Sequence, residues 1–234
     1  ERDGSMAAKN KARLEGRKRK ATRISAILEQ EYPEAKCALH YKTPDQLLFA
    51  TILSAQCTDV RVNMTTPALF KKFPSSKEMA KADPSEVQKL IKSINFFRNK
   101  AKSLVNAAQM IQKDFGGDLP RTIDELTRLP GVGRKTANVV LGDAFNLQLG
   151  IVVDTHVKRL VNLTGLAEGE DPEDLEQQLM EIVPKPLWTK FSHWMILHGR
   201  SVCIARRPRC EGCVIRQLCE FGRKGILGSI RDGN

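Results

Sequence analysis

Four cysteines stand near the end of this 234-residue chain, Cys203, Cys210, Cys213 and Cys219, in a C-x6-C-x2-C-x5-C spacing that closes within seventeen residues. Thiolates gathered so tightly suit tetrahedral sulfur ligation, which serves zinc and iron–sulfur clusters alike. The spacing is not the two close pairs of a zinc finger, because Cys203 stands alone, and it is not the serial run of a bacterial ferredoxin. It points to a metal centre and leaves zinc against cluster open. Arg206, Arg207 and Arg209 follow Cys203 in the first gap, so whatever ties down this loop also presents cations to a phosphate backbone.

A second constellation is Leu129-Pro130-Gly131-Val132-Gly133-Arg134-Lys135-Thr136-Ala137. Pro130 limits the preceding helix, Gly131 and Gly133 permit a tight turn that a β-carbon would obstruct, and a new helix begins at once. Such a turn can aim consecutive backbone amides outward, and the positive end of the helix dipole adds to them. Together they make an anion site suited to a phosphate.

The elements that must position these groups are helices. Ile24, Ile27 and Leu28 recur at helical spacing before Pro33, and Leu47 to Ser54 is apolar on most sides, as a buried helix is. Capping boxes pair Ser75 with Glu78, Asp83 with Glu86 behind Pro84, and Thr122 with Glu125. Ala101, Leu104, Val105, Ala108, Ile111 and Phe115 trace one face of a long helix stopped by Gly116-Gly117, and Asp171-Pro172 opens another. The one strand-like run, Leu149 to Val153, is too short and too isolated to build a sheet, so the fold class is all-α.

Composition bounds the partners. Lys and Arg total 38 against 27 Asp and Glu, a formal charge of +11 and a pI near 9.5, which makes DNA or RNA the default partner. With 41% apolar residues the chain can bury one large core or two modest ones. It shows neither a signal-peptide pattern nor a membrane-length apolar run, and Cys37 and Cys57, isolated in sequence, are expected to pack in apolar surroundings. A reducing intracellular compartment fits, and a disulfide framework gains no support. Residues 1–20, with seven basic residues and one acid between Lys9 and Lys20, read as a disordered, solvated tail; Met6 behind Gly4-Ser5 reads as a native start.

The hairpin and three further landmarks resemble the helix–hairpin–helix (HhH-GPD) DNA glycosylases of base excision repair, and more narrowly the endonuclease III family. Leu53-Ser54-Ala55-Gln56-Cys57-Thr58-Asp59 is similar to one family segment, Val153-Asp154-Thr155-His156-Val157 to a second, and Leu197-His198-Gly199-Arg200 leads into the cysteines as it does there. The resemblance spans roughly residues 22–221. It implies a [4Fe–4S] cluster on the four cysteines and two helical domains flanking a DNA-binding cleft. One domain would be a helical barrel over 37–147, with its hairpin at about 123–142; the other would be discontinuous, 21–36 with 148–234. It implies a monomer acting on double-stranded DNA with oxidised pyrimidines or abasic sites, in a bacterial cytoplasm at the nucleoid, or in a eukaryotic nucleus or mitochondrion.

The reaction so implied cleaves a base from C1′ of deoxyribose and then nicks the strand. Flipping the nucleotide exposes the bond, a carboxylate steadies the sugar cation, and an amine captures C1′ as a Schiff base. Lys135 matches the nucleophile and lies at a helix start, where the dipole disfavours an ammonium. Asp154 matches the carboxylate and also suits a helix N-cap. The loop ahead of Asp154, residues 136–153, has no proline where the family is proline-rich. Gln56 matches the residue that fills the vacated stack, and Phe96 stands where a wedging leucine is common, although Phe96 or Phe97 could instead serve the core. Gly131, Gly133 and Arg134 contact phosphates on this reading, with Arg206, Arg207 and Arg209. An adenine-excising monofunctional glycosylase of the MutY type would lack Lys135 and extend past residue 234; a silent hairpin module would not need Lys135 and Asp154 together.

Overall fold

The structure, a computed structural model, describes residues 2–224, and every regular element among them is helical. The α-helices are α1 Arg2–Glu31, α2 Pro44–Ser54, α3 Asp59–Lys72, α4 Ser76–Met79, α5 Pro84–Ile91, α6 Phe97–Asp114, α7 Ile123–Leu126, α8 Arg134–Phe145, α9 Thr155–Thr164, α10 Pro172–Ile182 and α11 Trp188–Ser201. The strand-like run at 149–153 is a connector without strand pairing, its Ile151, Val152 and Val153 buried. Among the described residues, no helix is long and apolar enough to cross a membrane.

The helix starts follow the sequence chemistry. Thr43, Thr58, Ser75, Asp83, Thr122, Asp154 and Asp171 each stand at an N-cap and accept a backbone amide of the helix they open. Each such bond satisfies an amide the helix leaves without a partner. Thr122 and Ser75 also donate their hydroxyls to Glu125 and Glu78, closing two capping boxes.

The chain divides into two compact units, one of residues 37–149 and one of 1–36 with 150–234. In the first, α2 is the central helix: Leu47, Leu48, Phe49, Ala50 and Leu53 are fully buried, so the helix is enclosed all round rather than on one stripe. Cys37 and Cys57 pack, half-buried, against this core. In the second unit, Ile24 and Leu28 of α1 share a core with Val157 and Val161 of α9, Leu175 and Leu179 of α10, and Phe191, Trp194 and Met195 of α11.

The N-terminal segment corrects the sequence reading. Residues expected to form a disordered tail belong to α1. Ala, Lys, Arg, Leu and Glu dominate the segment from Ala8 to Lys20, all strong helix formers. Several of its cations are engaged by the protein itself. Lys20 Nζ donates to the Thr164 carbonyl at the end of α9 (2.9 Å) and pairs with Glu220 (2.8 Å), and Arg17 Nε donates to Leu166 O (2.7 Å). Positive side chains at the C-terminal end of α9 meet the negative pole of its dipole.

Candidate active site and metal centre

The turn between α7 and α8 is built as its residue types require. Leu129 and Val132 are buried and anchor it to the core. Gly131 has φ +80°, and a β-carbon there would come within 3.0 Å of Ser103 Cβ, so the fold itself demands glycine. Gly133 is different. It stands at the N-cap of α8 with φ −94°, and nothing lies within 4 Å of where its β-carbon would be. The fold would accept a side chain at this exposed position. No side chain stands at the N-cap of α8 to accept its first amides. Lys135, exposed, sits in that first turn, and Arg134 beside it is half-buried.

Asp154 caps α9. Its Oδ1 accepts the amides of His156 (2.9 Å) and Val157 (2.8 Å), which fixes the carboxylate and leaves Oδ2 uncommitted among the described residues. Burial lowers the His156 imidazole, and Asp154 only partly offsets this. Lys135 and Asp154 belong to different units, one each.

Gln56 and Phe96 lie together within the 37–149 unit. Both hold the left-handed backbone region, φ +52° and +56°, which a non-glycine residue enters only under constraint. Gln56 is exposed just past the end of α2, and Phe96, 63% exposed, precedes α6. Phe97, by contrast, is half-buried against the core with Arg98 over its ring, 4.7 Å from the centroid. The structure thus separates the two phenylalanines: Phe97 serves the core and Phe96 faces outward.

The cysteine loop follows α11 and is shaped by two short 3-10 turns, Cys210–Gly212 and Arg216–Leu218. Cys203, Cys210, Cys213 and Cys219 line one cavity with the apolar side chains of Leu160, Val202 and Ile215. Donors point at the sulfurs: Gly222 N reaches Cys219 Sγ (3.4 Å), and His198 Nε2 lies 3.3 Å from Cys213 Sγ. Such donors fit an anionic iron–sulfur group. The four cysteines around this one cavity would hold an iron–sulfur cluster. Burial pushes the Cys213 thiol up to about 11 and raises Cys203 as well, so loading the site displaces protons. Arg206, Arg207 and Arg209 are exposed on this loop.

Comparison with known proteins agrees with this geometry. Residues 49–185 match the HhH-GPD superfamily base excision DNA repair protein model, and residues 203–219 match the iron–sulfur binding domain of endonuclease III. The chain is 50% identical to endonuclease III of Synechocystis sp. over 207 residues, 88% of this chain and 94% of that one. It is 39% identical to the Escherichia coli endonuclease III, covering 88% and 98% of the two chains. A trapped endonuclease III–DNA covalent intermediate superposes with a TM-score of 0.83 at 38% identity, covering 89% of this chain and 98% of that one. The chain belongs to the endonuclease III family. Like that family it is a DNA glycosylase and AP lyase of base excision repair, and its metal centre is a [4Fe–4S] cluster.

Three features of this chain are invisible in motif spacing. The buried Lys100 donates from Nζ to Leu53 O (2.8 Å) and Ala55 O (2.5 Å), holding the end of α2 just before Gln56. Arg159 Nη2 donates to Gly199 O (3.1 Å) and Cys203 O (2.5 Å), tying α9 to the start of the cysteine loop. Tyr32 Oη reaches His198 Nδ1 (2.9 Å) across 166 residues of sequence. The first two carried one signal, a cation within or beside a recognised segment; Tyr32 carried none.

Proposed function

We propose that Lys135 captures C1′ of the damaged nucleotide and that Asp154 steadies the sugar cation, on oxidised pyrimidines and abasic sites in duplex DNA. The observation that carries this reading is the bare start of α8. An exposed glycine the fold does not need, uncapped amides and an exposed lysine follow one another there, as a phosphate-bound strand with a reacting sugar requires. The Lys135 amine forms its bond to C1′ as the glycosidic bond breaks and the base leaves with a proton. The amine then loses a proton, and the C1′–O4′ bond breaks with O4′ taking up a proton, which opens the ring to an iminium; this acidifies C2′, and loss of that proton expels the 3′ phosphate by β-elimination. Asp154 suits its role because capping holds the carboxylate in place.

Gln56 and Phe96 are the groups we assign to the gap in the stack, supported by their exposure and constrained backbones. Gly131, Gly133 and Arg134 hold the strand on this reading, Arg206, Arg207 and Arg209 add phosphate contacts, and Cys203, Cys210, Cys213 and Cys219 hold the cluster, the protein acting as a monomer. When bound, the cluster supplies a rigid anionic core that ties down the arginine loop.

Borohydride trapping on a duplex carrying one thymine glycol or one abasic site tests the assignment. A covalent adduct that disappears in Lys135→Gln, with DNA binding retained, is the expected result. Undiminished trapping or nicking in that variant refutes it.

A further inference from the structure

We propose that Tyr32 and His198 form a hydrogen-bond relay onto the Cys213 sulfur that sets the strength of its bond to iron. His198 is 1% exposed on α11, its Nε2 is 3.3 Å from Cys213 Sγ, and its Nδ1 is 2.9 Å from Tyr32 Oη. A thiolate bound to iron has no proton to give, so Nε2 must carry the hydrogen in this contact. The Tyr32 phenol, packed edge-on to the imidazole with ring centroids 6.0 Å apart, then holds the ring's far nitrogen and its orientation. With the phenol hydrogen given to the imidazole, Ser201 Oγ, 3.2 Å from the phenol oxygen, is the side able to donate in that contact. The His198 carbonyl also accepts the Cys203 amide (2.8 Å), so one residue touches two of the four cysteines.

The placement explains why a residue just past α1 is brought to this loop. A hydrogen bond to a ligand sulfur draws electron density from it and weakens its bond to the metal, a means by which proteins tune clusters. Tyr32 and His198 are positioning residues here, acting on the cluster through Cys213.

The inference depends on Cys213 holding an iron, and the test separates the two. Holoprotein variants His198→Phe, Tyr32→Phe and Cys213→Ser are compared by iron content, by the resonance Raman frequency of the iron–thiolate stretch, and by the rate of iron loss to a chelator. His198→Phe is expected to keep the cluster, shift the stretch upward, and lose iron more slowly, as a strengthened iron–sulfur bond requires. Tyr32→Phe, which leaves the imidazole in place, is expected to give a smaller shift in the same direction and carries the test should His198→Phe lose its cluster on purification. An unchanged stretch in Tyr32→Phe and in any cluster-bearing His198→Phe overturns the relay. A Cys213→Ser protein with wild-type iron and spectrum overturns the ligand assignment beneath it.

Discussion

The Asn95 side-chain amide donates a 2.7 Å hydrogen bond to the backbone carbonyl of Gln56, joining two loops whose tips both hold left-handed backbone. Asn95 directly precedes Phe96, so the bond fixes the two exposed tips relative to each other before DNA arrives. Such preorganisation acts on affinity by removing an ordering cost. Asn95→Ala is expected to weaken binding to a duplex with an abasic-site analogue by about tenfold, near the upper end of one hydrogen bond. Fluorescence anisotropy on damaged and undamaged duplexes checks it. An equal loss on both would show that the bond serves general DNA contact and not the gap in the stack.

Lys100 supports the same region from beneath. Its ammonium meets two carbonyls at the end of α2, where the helix dipole is negative and the last carbonyls lack partners. Lys100→Met keeps the stem but removes both bonds, and is expected to cost about 2 kcal/mol in urea unfolding. A loss below about 0.5 kcal/mol, the range of an unremarkable surface change, would contradict the role.

How far the sequence carried the fold can be judged from these residues. Caps at Ser75, Asp83, Thr122 and Asp171 were legible because a short polar side chain before an apolar-periodic run has few other uses. The cysteine centre and hairpin were legible because their chemistry is local in sequence. A basic run gives no sign of the distant carbonyls that will receive it, which is why residues 1–20 read as a tail; Lys20 and Arg17 find theirs roughly 145 residues away, at and just past the end of α9. Gly131 and Gly133 looked equivalent, and only the position of Ser103 tells them apart.

That difference can be measured. Gly131→Ala must place a β-carbon at φ +80° and 3.0 Å from Ser103, and is expected to cost about 1–3 kcal/mol of stability. Gly133→Ala meets open space and ordinary backbone, so its cost is expected to stay below about 1 kcal/mol, the difference between good and poor N-caps. Binding to duplex DNA is expected to fall about tenfold in Gly133→Ala, because the added methyl blocks close approach of a phosphate. Thermal melts beside binding titrations separate the effects; a Gly133→Ala protein with wild-type affinity would remove the phosphate from this turn.

Cys37 sets an alkaline limit. Burial, reinforced by Asp143, pushes its thiol from an ordinary value near 9 up to about 12. The unfolded chain ionises this thiol first, so the native state loses its advantage as pH climbs from about 9 toward 12, and loses none of it below. Alkylation reports the same shift without unfolding the protein. At pH 8.5 iodoacetamide is expected to modify Cys37 at least about a hundredfold more slowly than a free thiol, by the smaller thiolate fraction. Mass spectrometry of native holoprotein showing ready modification would rule out the buried thiol.

Asp154 caps α9, and one substitution can divide that cap from the role proposed for it beside the sugar. As the N-cap of α9 its Oδ1 takes two amides, a task that asparagine performs about equally well. As the carboxylate beside a developing sugar cation it must bear negative charge, which asparagine does not. Asp154→Asn is therefore expected to unfold within about 0.5 kcal/mol of the parent protein, while base release falls by at least about a hundredfold. Asp154→Ala removes the cap as well and is expected to cost about 1 kcal/mol of stability on top of the same catalytic loss. Chemical denaturation and single-turnover base release on a thymine glycol duplex read the two effects independently. If Asp154→Asn released base at the parent rate while Asp154→Ala lost both stability and rate, the residue would be a cap alone, and the charge opposite the sugar would have to come from another group.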